Sequence, residues 1–331
     1  MRPKRLKLEA SSPADSSLSW ASALFVLQRC KPTRRQRLQH SLNRAEVSST
    51  DLREVPRCFV MSPISADLAV PALQPLRIAI LLNSYRSKFL PAIQASYVRT
   101  ISAVAPDAKL TFFEPANRPE EELPDPTFYD LIVFGGANVD ARKSHMWILR
   151  IHHFLLRLVL CYPTQKILGI CWGHQTIARV FGGKIADMDV PEMGVTPINL
   201  TDAGMDFFPH APTTGSLLVQ QHHRREVAEP GQGFFQLARE NQVLMNERGT
   251  ILTFQGHPEK DAETARLRMH DSTRWFGFSN MDEKHWAQLD AQIELEHEGH
   301  IIWERILEWA REPVLESEMQ MGRDPSRGSK I

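Results

Sequence analysis

The stretch GICWGHQTIARVFGG, residues 169–183, constrains the fold of this chain more than any other segment. An apolar run at 166–170 predicts a buried strand, and residues 175–181 follow a helical pattern that stops at two glycines. Cys171 lies at the junction, with Gly169 two residues before it and Gly173 two residues after it. A sharp strand-to-helix turn has no room for a Cβ at either glycine, and it lifts the cysteine above the sheet edge.

The same alternation of apolar runs and helical patterns precedes this junction. Strands are predicted at 77–82, 109–113 and 129–134, and helices at 91–104 and 147–160. Strands that alternate with helices are typical of a parallel sheet with helices on both faces. We therefore predict an α/β fold, a doubly wound and mostly parallel sheet.

The second half of the chain has a different rhythm, with short strands and few helices between them. The predicted strands are at 195–200, 217–221, 234–238, 243–245 and 251–254. This pattern indicates a small antiparallel or mixed β insertion before the chain returns to the main sheet. Helical patterns follow at 261–269 and 297–311. We expect residues 75–311 to form one domain and residues 312–331 to be a flexible tail.

Residues 1–74 differ in composition from the rest. They are rich in Ser and Arg and carry 12 Lys and Arg against 6 Asp and Glu. We expect a disordered extension, residues ahead of a later start at Met61, or a targeting segment. The rest of the chain suggests the cytoplasm. A mitochondrial location follows instead if residues 1–60 are a presequence.

Charge and hydropathy argue against several classes of function. The formal net charge is zero, which argues against a nucleic-acid-binding protein. No apolar run reaches the ~20 residues that span a membrane, so we expect no membrane partner. The four cysteines lack metal-ligand spacing and the histidines form no His-Glu-x-x-His motif. We expect neither a metal nor a cofactor.

Cys171 suits a nucleophile, because the turn exposes it and the following helix points its positive end at the sulfur. That field is expected to lower the pKa of the thiol. The nucleophile needs a base and the base needs an orienting group. His257 and Glu259 lie two residues apart after a predicted strand, so their side chains share a side. Taken alone, a His-x-Glu sequence is more often a surface pair.

An acyl-transfer site also needs donors for the developing oxyanion. Gly135 and Gly136 end a strand that we expect beside the strand of Cys171, and the backbone N–H of Trp172 follows the nucleophile. A plain strand-ending turn would explain the glycine pair equally well if it stood alone.

Together these motifs resemble the class I glutamine amidotransferase family, including its GMP-synthase-type glutaminase domains and γ-glutamyl peptidases. Residues 169–175 fit the family's Gly-x-Cys-x-Gly-x-Gln pattern, and residues 257–259 fit its His-Pro-Glu signature. Residues 134–136 fit the oxyanion strand, and residues 192–195 are similar to a Glu-aliphatic-Gly-aromatic segment. The resemblance covers about residues 77–310.

The resemblance implies that Cys171 is the nucleophile, that His257 is the general base and then acid, and that Glu259 orients the imidazole. A γ-glutamyl thioester would form on Cys171 and water would release glutamate. Gln175 would help to hold the glutamyl group. The segment at 220–227 occupies the place of a substrate loop in the family. Three of its residues are therefore further candidates for substrate contact: His222, His223 and Arg224. An ordinary surface loop would explain these residues equally well.

The chain also departs from the family pattern. Ala137 follows the glycine pair where a proline is common, and Val195 replaces an aromatic residue. No synthase segment or phosphate-binding glycine loop is evident, so the chain resembles stand-alone members, some of which serve natural-product pathways. Three hypotheses follow: a glutamine amidotransferase whose ammonia a partner synthase uses, a γ-glutamyl peptidase acting on glutathione-like adducts, and a catalytically silent binding or regulatory protein. The intact triad argues against the third.

Overall fold

A computed structural model describes residues 74–272 and 282–314, with side chains omitted at 270–272. The expectations for residues 1–73 and 315–331 lie outside the described residues, and the assignment of one domain to 75–311 stays a prediction. The strands are β1 (Arg77–Leu81), β2 (Lys109–Phe113), β3 (Leu131–Phe134), β4 (Lys166–Ile170), β5 (Lys184–Asn199), β6 (Ser216–Glu229), β7 (Phe234–Ala238), β8 (Val243–Asn246) and β9 (Ile251–Phe254). The helices are α1 (Leu90–Val104), α2 (Met146–Cys161), α3 (Trp172–Val180), α4 (Asp202–Phe207), α5 (Ala262–Ser272), α6 (Glu283–Ile293) and α7 (Gly299–Arg311).

Seven strands form the main sheet, in the order β2-β1-β3-β4-β9-β8-β7. The first five run parallel, while β8 and β7 add antiparallel pairs at one edge. The prediction of a mostly parallel α/β sheet with a small antiparallel insertion is confirmed. Because β3, β4 and β9 are neighbours, their carboxyl ends bring the glycine pair, the cysteine turn and the His-Pro-Glu segment to one sheet edge.

The central strands are apolar because both of their faces are covered. On one face, Tyr97 and Ile101 of α1 pack with Trp303 and Ile306 of α7 in a fully buried cluster. On the other face, α2 and α3 pack through a second cluster that includes Trp172 and the following side chains: Ile148, Ile151, Leu155 and Ile177. Burying a side chain of this size contributes about 1.5–3 kcal/mol. The sequence of apolar runs therefore determines a sheet that helices cover on both sides.

The two strands of the antiparallel insertion are longer than the sequence predicted. Strands β5 and β6 form a separate two-stranded ribbon of 16 and 14 residues, with a register shift between Asp187 and Glu192. Much of β5 is polar and only partly buried. The prediction of short strands at 195–200 and 217–221 was therefore wrong in length, because backbone pairing extends these strands beyond their apolar parts.

Two helices, α4 and α6, were also missed. Helix α4 begins at a Thr201 cap whose Oγ1 accepts from Gly204 N at 3.1 Å, and it spans only six residues. Helix α6 packs Leu289 and Ile293 against Met193 of β5. Both helices depend on contacts with the β5–β6 ribbon or with β7 rather than on a strong apolar period. Within the described ranges, no helix is long and apolar enough to cross a bilayer.

Candidate active site

Cys171 occupies a strained turn between β4 and α3. Its φ is +51° and its ψ is −101°, a conformation that side chains rarely adopt. The backbone N–H of Cys171 donates to Phe254 O of β9 at 2.8 Å, and its carbonyl accepts from Gln175 N at 3.0 Å. Neighbouring strand and helix thus hold the strained residue in place. Residues in such conformations cluster at functional sites, because the surrounding structure must offset the strain.

The two flanking glycines have a steric role in this turn. A Cβ added at Gly173 would lie 1.8 Å from Phe134 O, inside van der Waals contact with the end of β3. A Cβ at Gly169 would lie 3.0 Å from the carbonyl of Gly173 and 2.7 Å from Ile177 Cδ1. The absence of a Cβ at these two glycines therefore lets α3 begin directly against β3 and β4. This is the close approach that the glycine spacing predicted.

The His-Pro-Glu segment follows β9 and points back at the turn. His257 Nδ1 and Glu259 Oε1 are 2.7 Å apart, and both side chains are buried. The backbone of this segment is held from two sides: His257 N donates to Gln220 O at 2.8 Å, and Ser96 Oγ of α1 donates to Glu259 O at 2.6 Å. Because Nδ1 faces a carboxylate, Nδ1 carries a proton and Nε2 is left to accept one.

His257 and Cys171 both lie close to Gly136. A Cβ built at Gly136 would lie 3.2 Å from His257 Cε1 and 3.8 Å from Cys171 Cβ. Within the described part of the chain, His257 Nε2 is buried and has no hydrogen-bond partner. One pocket joins these groups, and its lining includes Ser84, Gly136, Cys171, His222, His257, Glu259, Lys260 and Arg268.

The electrostatics of the site correct one expectation. The field of the α3 terminus was expected to lower the pKa of the Cys171 thiol, and the backbone amide of Trp172 does act in that direction. Burial outweighs it and raises the pKa to about 11. Burial also lowers the pKa of His257 to about 4, although Glu259 opposes this shift. At neutral pH the thiol and the imidazole are therefore both uncharged. The hydration free energy that a buried thiolate–imidazolium pair would lose exceeds the stabilisation that the helix terminus offers the thiolate.

Of the three oxyanion candidates, Gly136 belongs to the lining of this pocket, and Gly135 and Trp172 do not. Gly135 N donates to Leu81 O at 3.1 Å, so its N–H is engaged in the sheet. The carbonyl of Gly135 accepts from Asn83 Nδ2 at 3.1 Å, which holds the turn after β3. Gly136 lines the pocket and Trp172 N belongs to the first turn of α3. The N–H of Gly135 is thus already engaged, whereas Gly136 lines the pocket and Trp172 directly follows Cys171.

The structure places the four substrate candidates differently. His222 lines the pocket, and burial with nearby cations lowers its pKa well below the usual value. His223 is buried away from that lining, with Nε2 2.8 Å from Glu192 Oε2. Gln175 uses its amide Nε2 to donate to Arg225 O at 2.8 Å and to a neighbouring glutamine oxygen at 3.0 Å.

Arg224 lies on β6 and is partly exposed, and it does not belong to the lining of this pocket. Lys260, which the sequence pattern did not reveal, does belong to it. Its signal in the sequence was a charged residue placed directly after a motif that must be buried. Across the residues with described side chains, no group of three His, Cys, Asp or Glu side chains could hold a metal ion.

Known proteins are similar to this chain in sequence and in fold. The family model described as glutamine amidotransferase class-I matches residues 98–273. A glutamine amidotransferase-like protein, chyE, of Penicillium rubens is 33% identical over 243 residues, covering 72% of this chain and 98% of that protein. A glutamine-hydrolyzing GMP synthase subunit from Sulfurisphaera tokodaii is 34% identical, covering 43% of this chain and 72% of that protein. Gamma-glutamyl peptidase 2 of Arabidopsis thaliana is 31% identical, covering 41% and 55%.

A crystal structure of a glutamine amidotransferase from Thermotoga maritima has the same fold. Its TM-score is 0.54 at 16% identity, and the match covers 72% of this chain and 99% of that chain. The family model spans more than half of the chain, and the similarity to the Penicillium rubens protein extends over nearly all of that protein. This chain belongs to the class I glutamine amidotransferase family.

Proposed function

We propose that this protein cleaves γ-glutamyl amides through a thioester on Cys171. One observation carries the proposal: a cysteine held at positive φ shares a buried pocket with a histidine that a carboxylate orients at 2.7 Å. A nucleophile, a base and an orienting group in this order are the parts that nucleophilic acyl transfer requires. Family membership agrees with this chemistry, because family members act on glutamine or γ-glutamyl substrates.

The reaction would proceed in two half-reactions. His257 Nε2 takes the thiol proton as Cys171 Sγ attacks the γ-carbonyl carbon, and the backbone N–H groups of Gly136 and Trp172 stabilise the oxyanion. The C–N bond then breaks, and His257 returns the proton to the departing amine. Water next attacks the thioester with His257 as base, and the C–S bond breaks to release glutamate and restore the thiol.

The neutral resting pair has a consequence for this mechanism. Because the thiol pKa is about 11 and the imidazole pKa is about 4, a thiolate does not form ahead of the substrate. Proton transfer therefore accompanies attack on the carbonyl. The Glu259 carboxylate favours the imidazolium that appears at that moment, because it lies against the ring nitrogen in a buried setting.

The fate of the amine distinguishes two versions of this function. In the first, the substrate is glutamine and a partner synthase uses the ammonia, as the name of the GMP synthase relative suggests. In the second, the substrate is a γ-glutamyl peptide such as a glutathione adduct. Similarity to gamma-glutamyl peptidase 2 supports it. Both versions use the same thioester.

The test is glutamate release from glutamine, glutathione and a glutathione conjugate, with the Cys171→Ala variant as control. Hydroxylamine would be added in parallel, since it converts a γ-glutamyl thioester into a stable hydroxamate that mass spectrometry detects. Glutamate and ammonia from glutamine would support the amidotransferase version, and glutamate from the thiol peptides alone would support the peptidase version. Wild type and variant releasing equal amounts, with no hydroxamate, would refute catalysis and favour a silent binding protein.

A further inference from the structure

Lys260 is a buried cation that the proposed reaction does not use. It directly follows Glu259, and only 5% of its surface is exposed. Its backbone N–H donates to His257 O at 3.1 Å, so the chain turns tightly after the His-Pro-Glu segment. This turn places the lysine side chain in the lining of the pocket that contains Cys171.

The Lys260 ammonium makes no direct ion pair within the described part of the chain. Among the described residues, no hydrogen bond or ion pair joins Lys260 Nζ to another side chain, and Glu259 directs Oε1 to His257 instead. Burial lowers the pKa of Lys260 to about 8, and the nearby Glu259 opposes the shift. The lysine is therefore still mostly charged at neutral pH. A buried cation without a direct ion pair is costly.

The pocket around Lys260 contains a second cation and one carboxylate, that of Glu259, which is paired with His257. Arg268 of α5 lines the same pocket and lowers the pKa of Lys260 further. The nearby His222 is held neutral, and Ser84, Ser96 and Thr264 supply uncharged polar groups to the lining. Such a lining matches a carboxylate, which can accept a charge-assisted hydrogen bond from the Lys260 ammonium.

We propose that Lys260 binds a carboxylate of the substrate and so makes the site selective for anionic γ-glutamyl compounds. This inference rests on the proposed function, because it places the reacting carbonyl at Cys171. Two sources supply the same chemistry: the α-carboxylate of the glutamyl group, or a carboxylate on the leaving amine. His257 protonates the leaving amine, and Lys260 lies one turn beyond it in the same pocket.

Four substrates distinguish these sources. γ-Glutamyl-glycine carries both carboxylates, and γ-glutamyl-glycinamide keeps only the α-carboxylate. The α-carboxamide of γ-glutamyl-glycine keeps only the carboxylate on the leaving group. The doubly amidated compound has neither carboxylate. Each would be assayed by glycine or glycinamide release with wild type, Lys260→Met and Lys260→Arg. Lys166→Met is the matched control, because Lys166 is also 5% exposed but donates to Gly249 O at the opposite end of β4.

Loss of a charged hydrogen bond predicts that Lys260→Met lowers kcat/KM about 10- to 100-fold for substrates that keep the bound carboxylate. The change should appear mainly in KM, and the substrate that lacks this carboxylate should lose less than about threefold. Lys260→Arg should recover part of the activity. An equal loss on all four substrates would overturn the inference, since a purely structural lysine would act in that way. No loss on any substrate would overturn it as well.

A binding measurement separates this inference from the proposed reaction. The Cys171→Ala variant would be titrated calorimetrically with γ-glutamyl-glycine, with and without Lys260→Met. At least tenfold weaker binding in the double variant would support carboxylate binding even if wild type released no glutamate. Equal affinity of the two proteins, or no binding to either, would overturn the role of Lys260 regardless of catalysis.

Discussion

Replacing Glu259 by Gln tests the central argument about the site. The substitution keeps the shape of the side chain but removes the charge that faces His257 Nδ1 at 2.7 Å. Both side chains are less than one tenth exposed, so water cannot take over the role of the carboxylate. The imidazolium that forms during attack would then be a buried charge without its partner.

The structure sets the size of the effect. Breaking a buried, hydrogen-bonded ion pair by removing one partner costs about 3–5 kcal/mol. Here the pair is fully ionic only in the transition state, so this cost falls on the barrier and not on the resting protein. With about 1.36 kcal/mol per tenfold change in rate, kcat/KM should fall roughly 150- to 5,000-fold. The glutamine amide also permits the wrong tautomer of the ring, which acts in the same direction.

The assay is steady-state glutamate release by purified Glu259→Gln protein, with thermal unfolding as a check on folding. Asp282→Asn is the matched control, because Asp282 pairs with His285 at 2.6 Å on the exposed surface and outside the pocket. We expect that control to keep at least half of the activity. A Glu259→Gln protein that folds and keeps more than one tenth of the wild-type kcat/KM would refute the orienting role.

Three further results are expected. Because burial lowers the pKa of His257 to about 4, the neutral imidazole persists above that pH. In a pH profile, kcat/KM should therefore rise through pH 4 and stay level through about 6.5. A fall in kcat/KM on the acid side of pH 6.5 would contradict this. Gly173→Ala, whose methyl would meet Phe134 O, should cost about 3 kcal/mol or more in denaturant unfolding. Gly182→Ala, with φ +85° and open space, should cost only ~1 kcal/mol, and equal costs would refute the steric argument. Ser96→Ala removes the 2.6 Å hydrogen bond to Glu259 O and should cost about 1 kcal/mol with lower kcat; unchanged kcat and stability would count against it.

The parallel core was predictable because each strand there is a short apolar run bounded by turns. The predicted strand at 109–113 has the bounds of β2, and the predicted strand at 166–170 has those of β4. The β5–β6 ribbon was only partly predictable. Much of β5 is polar and only partly buried, and it pairs with β6 through backbone hydrogen bonds, so it leaves little trace in an apolar pattern.

The candidate site divides in the same way. The spacing of glycines around Cys171 and the His-Pro-Glu order pointed to the three central side chains. The ionisation of the site could not be predicted, because burial depends on neighbours distant in sequence, such as Ser96 of α1 beside Glu259. The same holds for Gly135, whose N–H is engaged by Leu81 of β1, and for Lys260, which only its turn places in the pocket.

The sequence by itself determined which residues lie at the carboxyl ends of β3, β4 and β9, because apolar runs and glycines mark those ends locally. Only the tertiary structure decided what these residues experience. The order of strands brings the three ends together, and the helices packed on them exclude water. The exclusion of water raises the pKa of the thiol and lowers the pKa of the imidazole and of the Lys260 ammonium beside them. The free energy of burying a charge depends on all the groups packed around it in space, and not only on residues adjacent in sequence.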